Sequence, residues 1–224
     1  MRKSIFLLVP LLFLFLVPSG LAKNTETEQS PLSVEALILK GNELIKNRQY
    51  QEAIHDYEQV LDIDSKNVQV RLLLGLTYAQ LGELEKALQH TKKASQLDPG
   101  YAAFYQLGLI YSAKRQPEQA LKAFDRALKS SPKSYAAQYQ KGLVYVSQKN
   151  YQKAAECYER ARQFNPQFDD AYLALGGAYY QLGNKAAAFR QVEELRKVNK
   201  QKVADGFEAW LKEKESSGNP PPSP

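Results

Sequence analysis

Between Val34 and Lys202 the apolar positions of this chain keep a helical beat that is interrupted at even intervals. From residue 68 to 100, Leu73, Leu74, Tyr78 and Leu81 fall on one stripe, and Leu84, Ala87, Leu88, Ala94 and Leu97 fall on a second. Steps of three, four and seven are the period of an amphipathic α-helix, not of a strand. Leu81-Gly82-Glu83 separates the stripes as a turn, and Asp98-Pro99 ends the second one. Proline returns at the same place as Pro132 and Pro166, a stop signal for each second helix. Pro117 instead opens a second helix, where its missing N–H costs little.

The helix pair repeats. Gly41, Gly75, Gly108, Gly142 and Gly176 stand 34, 33, 34 and 34 residues apart. Three residues after each comes Leu44, Tyr78, Tyr111, Tyr145 or Tyr179, and twelve after each comes Ala53, Ala87, Ala120, Ala154 or Ala188. A fixed period of this size denotes stacked supersecondary units. The small slots have a packing reason: two crossing helices approach closely only if their contact residues are small, and a large side chain at Gly108 or Ala120 would wedge them apart. Aromatics at Tyr57, Phe124 and Tyr158 are expected to fill the gap toward the following repeat.

These residues resemble the tetratricopeptide repeat family. The likeness runs through Leu74-Gly75, Tyr78, Ala87, Ala94 and Pro99, then Leu107-Gly108, Tyr111, Ala120, Phe124, Ala127 and Pro132. Gly142, Tyr145, Ala154, Tyr158, Ala161 and Pro166 continue it. The first unit has Ser65 in place of proline, and the fifth has Val192, Leu195 and Lys200 at departing slots. The resemblance implies an all-α fold: a right-handed α-solenoid of helix-turn-helix repeats. Five units span about 34–67, 68–100, 101–134, 135–168 and 169–202. A helix over 203–215, with Val203, Phe207, Trp210 and Leu211 on one stripe, reads as a C-terminal cap.

The ends differ from this array. Residues 1–22 carry Arg2 and Lys3, an apolar run from Ile5 to Val17, and small residues up to Ala22, the layout of a cleaved secretory signal. The run is short for a bilayer span, although an uncleaved anchor remains the alternative. Exported and periplasmic or secreted is the expected location. Residues 23–33 are a polar linker in which Ser33 can cap the first helix. Residues 216–224, with three consecutive prolines, read as a disordered tail.

Composition excludes more than it assigns. The net charge of +6 falls to +4 without Arg2 and Lys3, and lysines alternate with glutamates, so no nucleic-acid footprint is expected. Cys157 is the single cysteine, so there is no internal disulfide and no Cys-based zinc set. His55 and His90 have no ligand-spaced neighbours and read as surface or rim residues. Phosphate loops and nucleophile elbows are absent, Glu193-Glu194 and Asp169-Asp170 point apart on their helices, and no enzyme activity, metal or cofactor is expected.

In the family it resembles, the first helix of each repeat lines an inner groove through the residues three before, one after and four after the glycine. Here those slots supply Leu72, Leu76, Tyr105, Leu109, Tyr139, Leu143, Val146, Leu173 and Tyr180 as the candidate partner-binding residues. Lysine is absent from these slots and only Asn42 is kept, so the carboxylate clamp of some family members is not expected. An apolar, tyrosine-rich groove suits a protein or peptide partner with hydrophobic anchors. The implied function is a non-enzymatic scaffold in the bacterial envelope. The alternatives are a self-associating structural subunit, in which the same residues are buried between copies, and a scaffold that reaches the membrane through an uncleaved N-terminal segment.

Overall fold

The computed structural model describes residues 33–217; the expected secretory signal, nearly all of the expected polar linker and the expected tail beyond Ser217 lie outside them. Among the described residues, ten helices form five hairpins: α1 (Val34–Lys46) with α2 (Tyr50–Ile63), α3 (Val68–Gln80) with α4 (Leu84–Leu97), α5 (Tyr101–Ala113) with α6 (Pro117–Ser130), α7 (Tyr135–Ser147) with α8 (Tyr151–Phe164), and α9 (Asp169–Gln181) with α10 (Lys185–Lys197). An eleventh helix, α11 (Gln201–Ser216), follows and is slightly longer than its sequence stripe. The two helices of each hairpin pack together, each second helix also packs on the helix that follows it, and no strand occurs among the described residues, so the architecture is an α-solenoid. Ser33 starts the first helix by accepting the Ala36 N–H at 3.2 Å.

The repeated glycines mark where the two helices of a hairpin come closest. A Cβ on Gly41, Gly108 or Gly142 would collide with the ring of Tyr57, Phe124 or Tyr158, sixteen residues later on the second helix. Each ring is at most 1% exposed. It covers its own glycine and also reaches forward, sharing a buried cluster with Leu74, Val144 or Leu175 of the following hairpin. The alanines at 53, 87, 120, 154 and 188 are fully buried on the opposing helix. One ring therefore closes the hairpin and couples it to its neighbour.

Two hairpins lack that ring and borrow a substitute. In the second, Thr91 stands in the aromatic slot and turns its hydroxyl to the Ala87 carbonyl at 2.8 Å. Gln106, from the next hairpin, fills the remaining space beside Gly75 and donates to the Leu72 carbonyl at 3.0 Å. In the fifth, Val192 is too short, and Phe207 of α11 lies over Gly176 instead. The cap thus supplies the missing core ring of the last repeat, with Ala204 and Leu211 buried beside it.

The turn inside each hairpin places one residue in the left-handed region: Arg48, Gly82, Arg115, Lys149 and Gly183, with φ between 56° and 77°. This residue ends the first helix and lets a following N–H return to a carbonyl of its last turn, as Gln49 does to Leu44 at 2.8 Å. Asn199, at φ 63°, makes the same turn between α10 and α11, where Lys200 N–H reaches the Leu195 carbonyl at 3.0 Å. The cap is therefore joined by an intra-repeat type of turn, and Arg196 ties it down by pairing with Glu208 at 2.5 Å and Asp205 at 3.1 Å.

Gly108→Ala tests the close approach. Alanine is the better helix former, yet its methyl meets the Phe124 ring. The variant is expected to lose roughly 1–3 kcal/mol in urea denaturation, as overpacked cores do. A gain in stability would show that the glycine is not a contact requirement.

Candidate partner-binding groove

The first helices form the inner row of the array, because α3 touches α5 and α5 touches α7 in addition to their hairpin partners. The slots three before, one after and four after each glycine recur on this row. Leu76, Leu143 and Val146 stand open, at 48%, 39% and 36% exposure. Leu72, Tyr105, Leu109, Tyr139 and Leu173 are half-buried. Tyr180 is a correction: it is 5% exposed, its ring 5.8 Å edge-on from Trp210 of α11, so the cap covers it and it belongs to the core. Its position on the stripe was legible, but the helix that lies across it was not.

The groove tyrosines are held by other rings. Tyr105 stacks on Tyr101 at 5.4 Å and tilts against Phe124 at 5.9 Å. Tyr139 tilts against Tyr158 at 5.5 Å and meets Phe168 edge-on at 5.0 Å. Such pairs fix ring orientation and contribute beyond their buried area. Burial first, and then Tyr101, raises the Tyr105 phenol above its ordinary value; burial and then Asp170 do the same for Tyr139. Both therefore present neutral hydroxyls at physiological pH.

Further residues join the row. Leu39 is 69% exposed and Tyr135 is 38% exposed. Tyr101 and Tyr135 each lie seven residues before a glycine, one turn beyond the slots used for the sequence reading, so their period could have found them. Phe168 packs on Tyr135 at 5.0 Å from the residue preceding α9, outside any helical period. Asn42, the one clamp-type residue kept in these slots, accepts from the Tyr57 hydroxyl at 2.8 Å.

Hollows open between successive first helices. One of about 760 Å³ lies between α1 and α3, lined by Leu39, Asn42, Ile45 and Leu76. Another of about 460 Å³ lies between α5 and α7, where Leu143 and Val144 meet Ser112, Gln140 and Ser147. Apolar walls with a few hydroxyl and amide groups suit a peptide, whose side chains need burial and whose backbone needs partners. No His, Cys, Asp and Glu grouping of metal-binding kind occurs among the described residues. No described helix is long and apolar enough to cross a membrane.

The isolated reactive candidates fall elsewhere. His55 is exposed and bonds Gln59 at 2.9 Å. His90 is half-buried and stacked on Tyr78 at 5.5 Å, where burial first and then Arg71 lower its pKa. A lowered histidine pKa means that the unfolded chain binds the proton more readily. His90 therefore costs stability as pH falls below the ordinary imidazole value of 6.5, and costs none above it. Stability followed by denaturation from pH 7.5 to 5.5 should decline, and His90→Phe should flatten part of that decline. Cys157 is 6% exposed, and burial pushes its thiol up to about 11. A thiol reagent at pH 8 should leave it unmodified in the folded protein and label it only after unfolding.

Models of the tetratricopeptide repeat match residues 105–167 and, in a second form, residues 44–108 and 145–211. The solved structure of MamA protein is 30% identical, with a TM-score of 0.67, over 75% of this chain and 93% of that one. YrrB, described as a TPR protein with an unusual peptide-binding site, is 20% identical with a TM-score of 0.61, over 79% and 92%. The Hsp70-Hsp90 organizing protein of Triticum aestivum is 29% identical over 94 residues, which are 42% of this chain but 16% of that protein.

Proposed function

The chain belongs to the tetratricopeptide repeat family, and on that premise we propose that it is a non-enzymatic scaffold holding a protein or peptide partner in the apolar, tyrosine-rich groove of its first helices. The observation that carries this reading is the open row of Leu76, Leu143 and Val146 beside tyrosines already fixed in place. Solvent-facing leucine and valine on the inner helices α3 and α7 cost solubility and return nothing to the core. A partner that covers them gives them a role. Rings locked before binding lose little entropy when the partner arrives.

A peptide is the favoured form of that partner, since the hollows are discontinuous and each is sized for a few side chains. The description of YrrB as having a peptide-binding site supports a peptide as the class of ligand, through shared fold alone. The sequence of residues 1–22 supports action outside the cytoplasm, in the bacterial envelope.

The test replaces two exposed groove residues, Leu76→Glu with Leu143→Glu. Both are solvent-facing, so helicity and melting temperature should change little. Capture of the partner from the envelope fraction of the source cell should fall at least about tenfold, the equivalent of about 1.4 kcal/mol. Undiminished capture would discard the groove. Light scattering on the same samples should show a monomer that does not depend on concentration; a copy-on-copy assembly lost in the variant would assign these residues to self-association instead.

A further inference from the structure

Trp210, the only tryptophan of the chain, is 37% exposed at the lip of a hollow between α9 and α11. The hollow measures about 560 Å³, with Leu173, Val203 and Phe207 as its other apolar walls and Lys202 at its edge. Two glycines, Gly177 on α9 and Gly206 on α11, leave bare backbone in the lining. Unlike the repeat glycines, neither has a packing reason, because a Cβ added at either would meet nothing within 4 Å. Glycine inside a helix is less stable than alanine, so these two weaken their helices and gain no contact. Their effect is to empty space. The slot of Gly177 holds Leu76, Leu109 and Leu143 in the three preceding hairpins, and the missing leucine is the hollow's vacancy.

We propose that this hollow is the anchor pocket of the groove and receives a large apolar side chain, leucine or aromatic, from a peptide segment with acidic residues beside it. The inference rests on the reading of the inner row as a peptide groove. Continuity supports it: Leu173 and Gly177 are the groove slots of the fifth hairpin, one repeat beyond Leu143 and Val146. Charge selects the occupant. Lys202 edges the hollow and the Lys214 ammonium stands 6.0 Å over the Trp210 ring. Neither makes an ion pair among the described residues. Bare glycine backbone admits an incoming ring closely, and Trp210 is already braced, its ring 5.8 Å from both Tyr180 and Phe207.

Trp210 fluorescence reads occupancy directly. The probe is the capped peptide Asp-Glu-Phe-Leu-Asp-Glu, titrated into the chain purified from its own host. A saturable change is expected, and Asp-Glu-Ala-Ala-Asp-Glu and Lys-Lys-Phe-Leu-Lys-Lys should each bind at least about tenfold more weakly. Gly177→Ala with Gly206→Ala should raise the melting temperature by about 2–4 °C per substitution while weakening the acidic peptide at least about tenfold. That pairing of opposite signs is what a filled pocket produces and what a packing role does not. Wild-type affinity in the double alanine variant overturns the proposal, as does equal binding of the lysine peptide. A Trp210 signal that changes with protein concentration alone assigns the hollow to a second copy and also overturns it. If no peptide binds, while Leu76→Glu with Leu143→Glu still abolishes partner capture, the groove stands and the hollow falls.

Discussion

The contact between a glycine on one helix and a ring on its partner is what the rest of the array depends on. In three of the five hairpins it brings the helices close enough that a single side chain touches both the backbone behind it and the following repeat. In a solenoid, stability is a sum of unit and nearest-neighbour terms, so a side chain serving both terms at once is the natural place for the sequence to be strict. Where the ring is missing, the space is filled from the neighbour: Gln106 reaches back over Gly75, and Phe207 over Gly176. The requirement is occupancy of the space, not the identity of the residue that occupies it.

That constraint also shapes the inner surface. Because the second helix supplies the ring, the first helix is free to turn its other stripe outward into the groove. Tyr105 and Tyr139 show the connection, since each rests on the buried ring of its own hairpin and on aromatics from the residues around it. Their orientation is a consequence of core packing. The open residues Leu76, Leu143 and Val146 have no such support, and in the proposed function their exposure is the cost that a bound partner offsets.

The helix pairs were legible in the sequence because glycine, aromatic and alanine slots recur with a fixed step, and each has one physical reason. The slots of Leu76 and Leu143 on the first helices were implied by the resemblance to the repeat family and not by packing, and Tyr135 lay one turn further along the same stripe. What lay beyond reach depended on contacts between distant segments. Nothing local to Tyr180 shows that Trp210 lies across it, and nothing local to Phe168 places it against Tyr139. The cap stripe pointed to a terminal helix, yet its role as donor of the ring over Gly176 needed the fold. Likewise, Gly176 and Gly177 are adjacent and alike in sequence, and only the surroundings separate the packed one from the open one.

The central claim is that the partner lies against the inner row. Site-specific photocrosslinking in living cells tests it most directly, with one photoreactive residue at Leu143 and another at Gln119, exposed on the second helix α6. A discrete adduct from position 143 and none from 119 is the expected result. Adducts from 119 alone, or indistinguishable patterns from both, would contradict it.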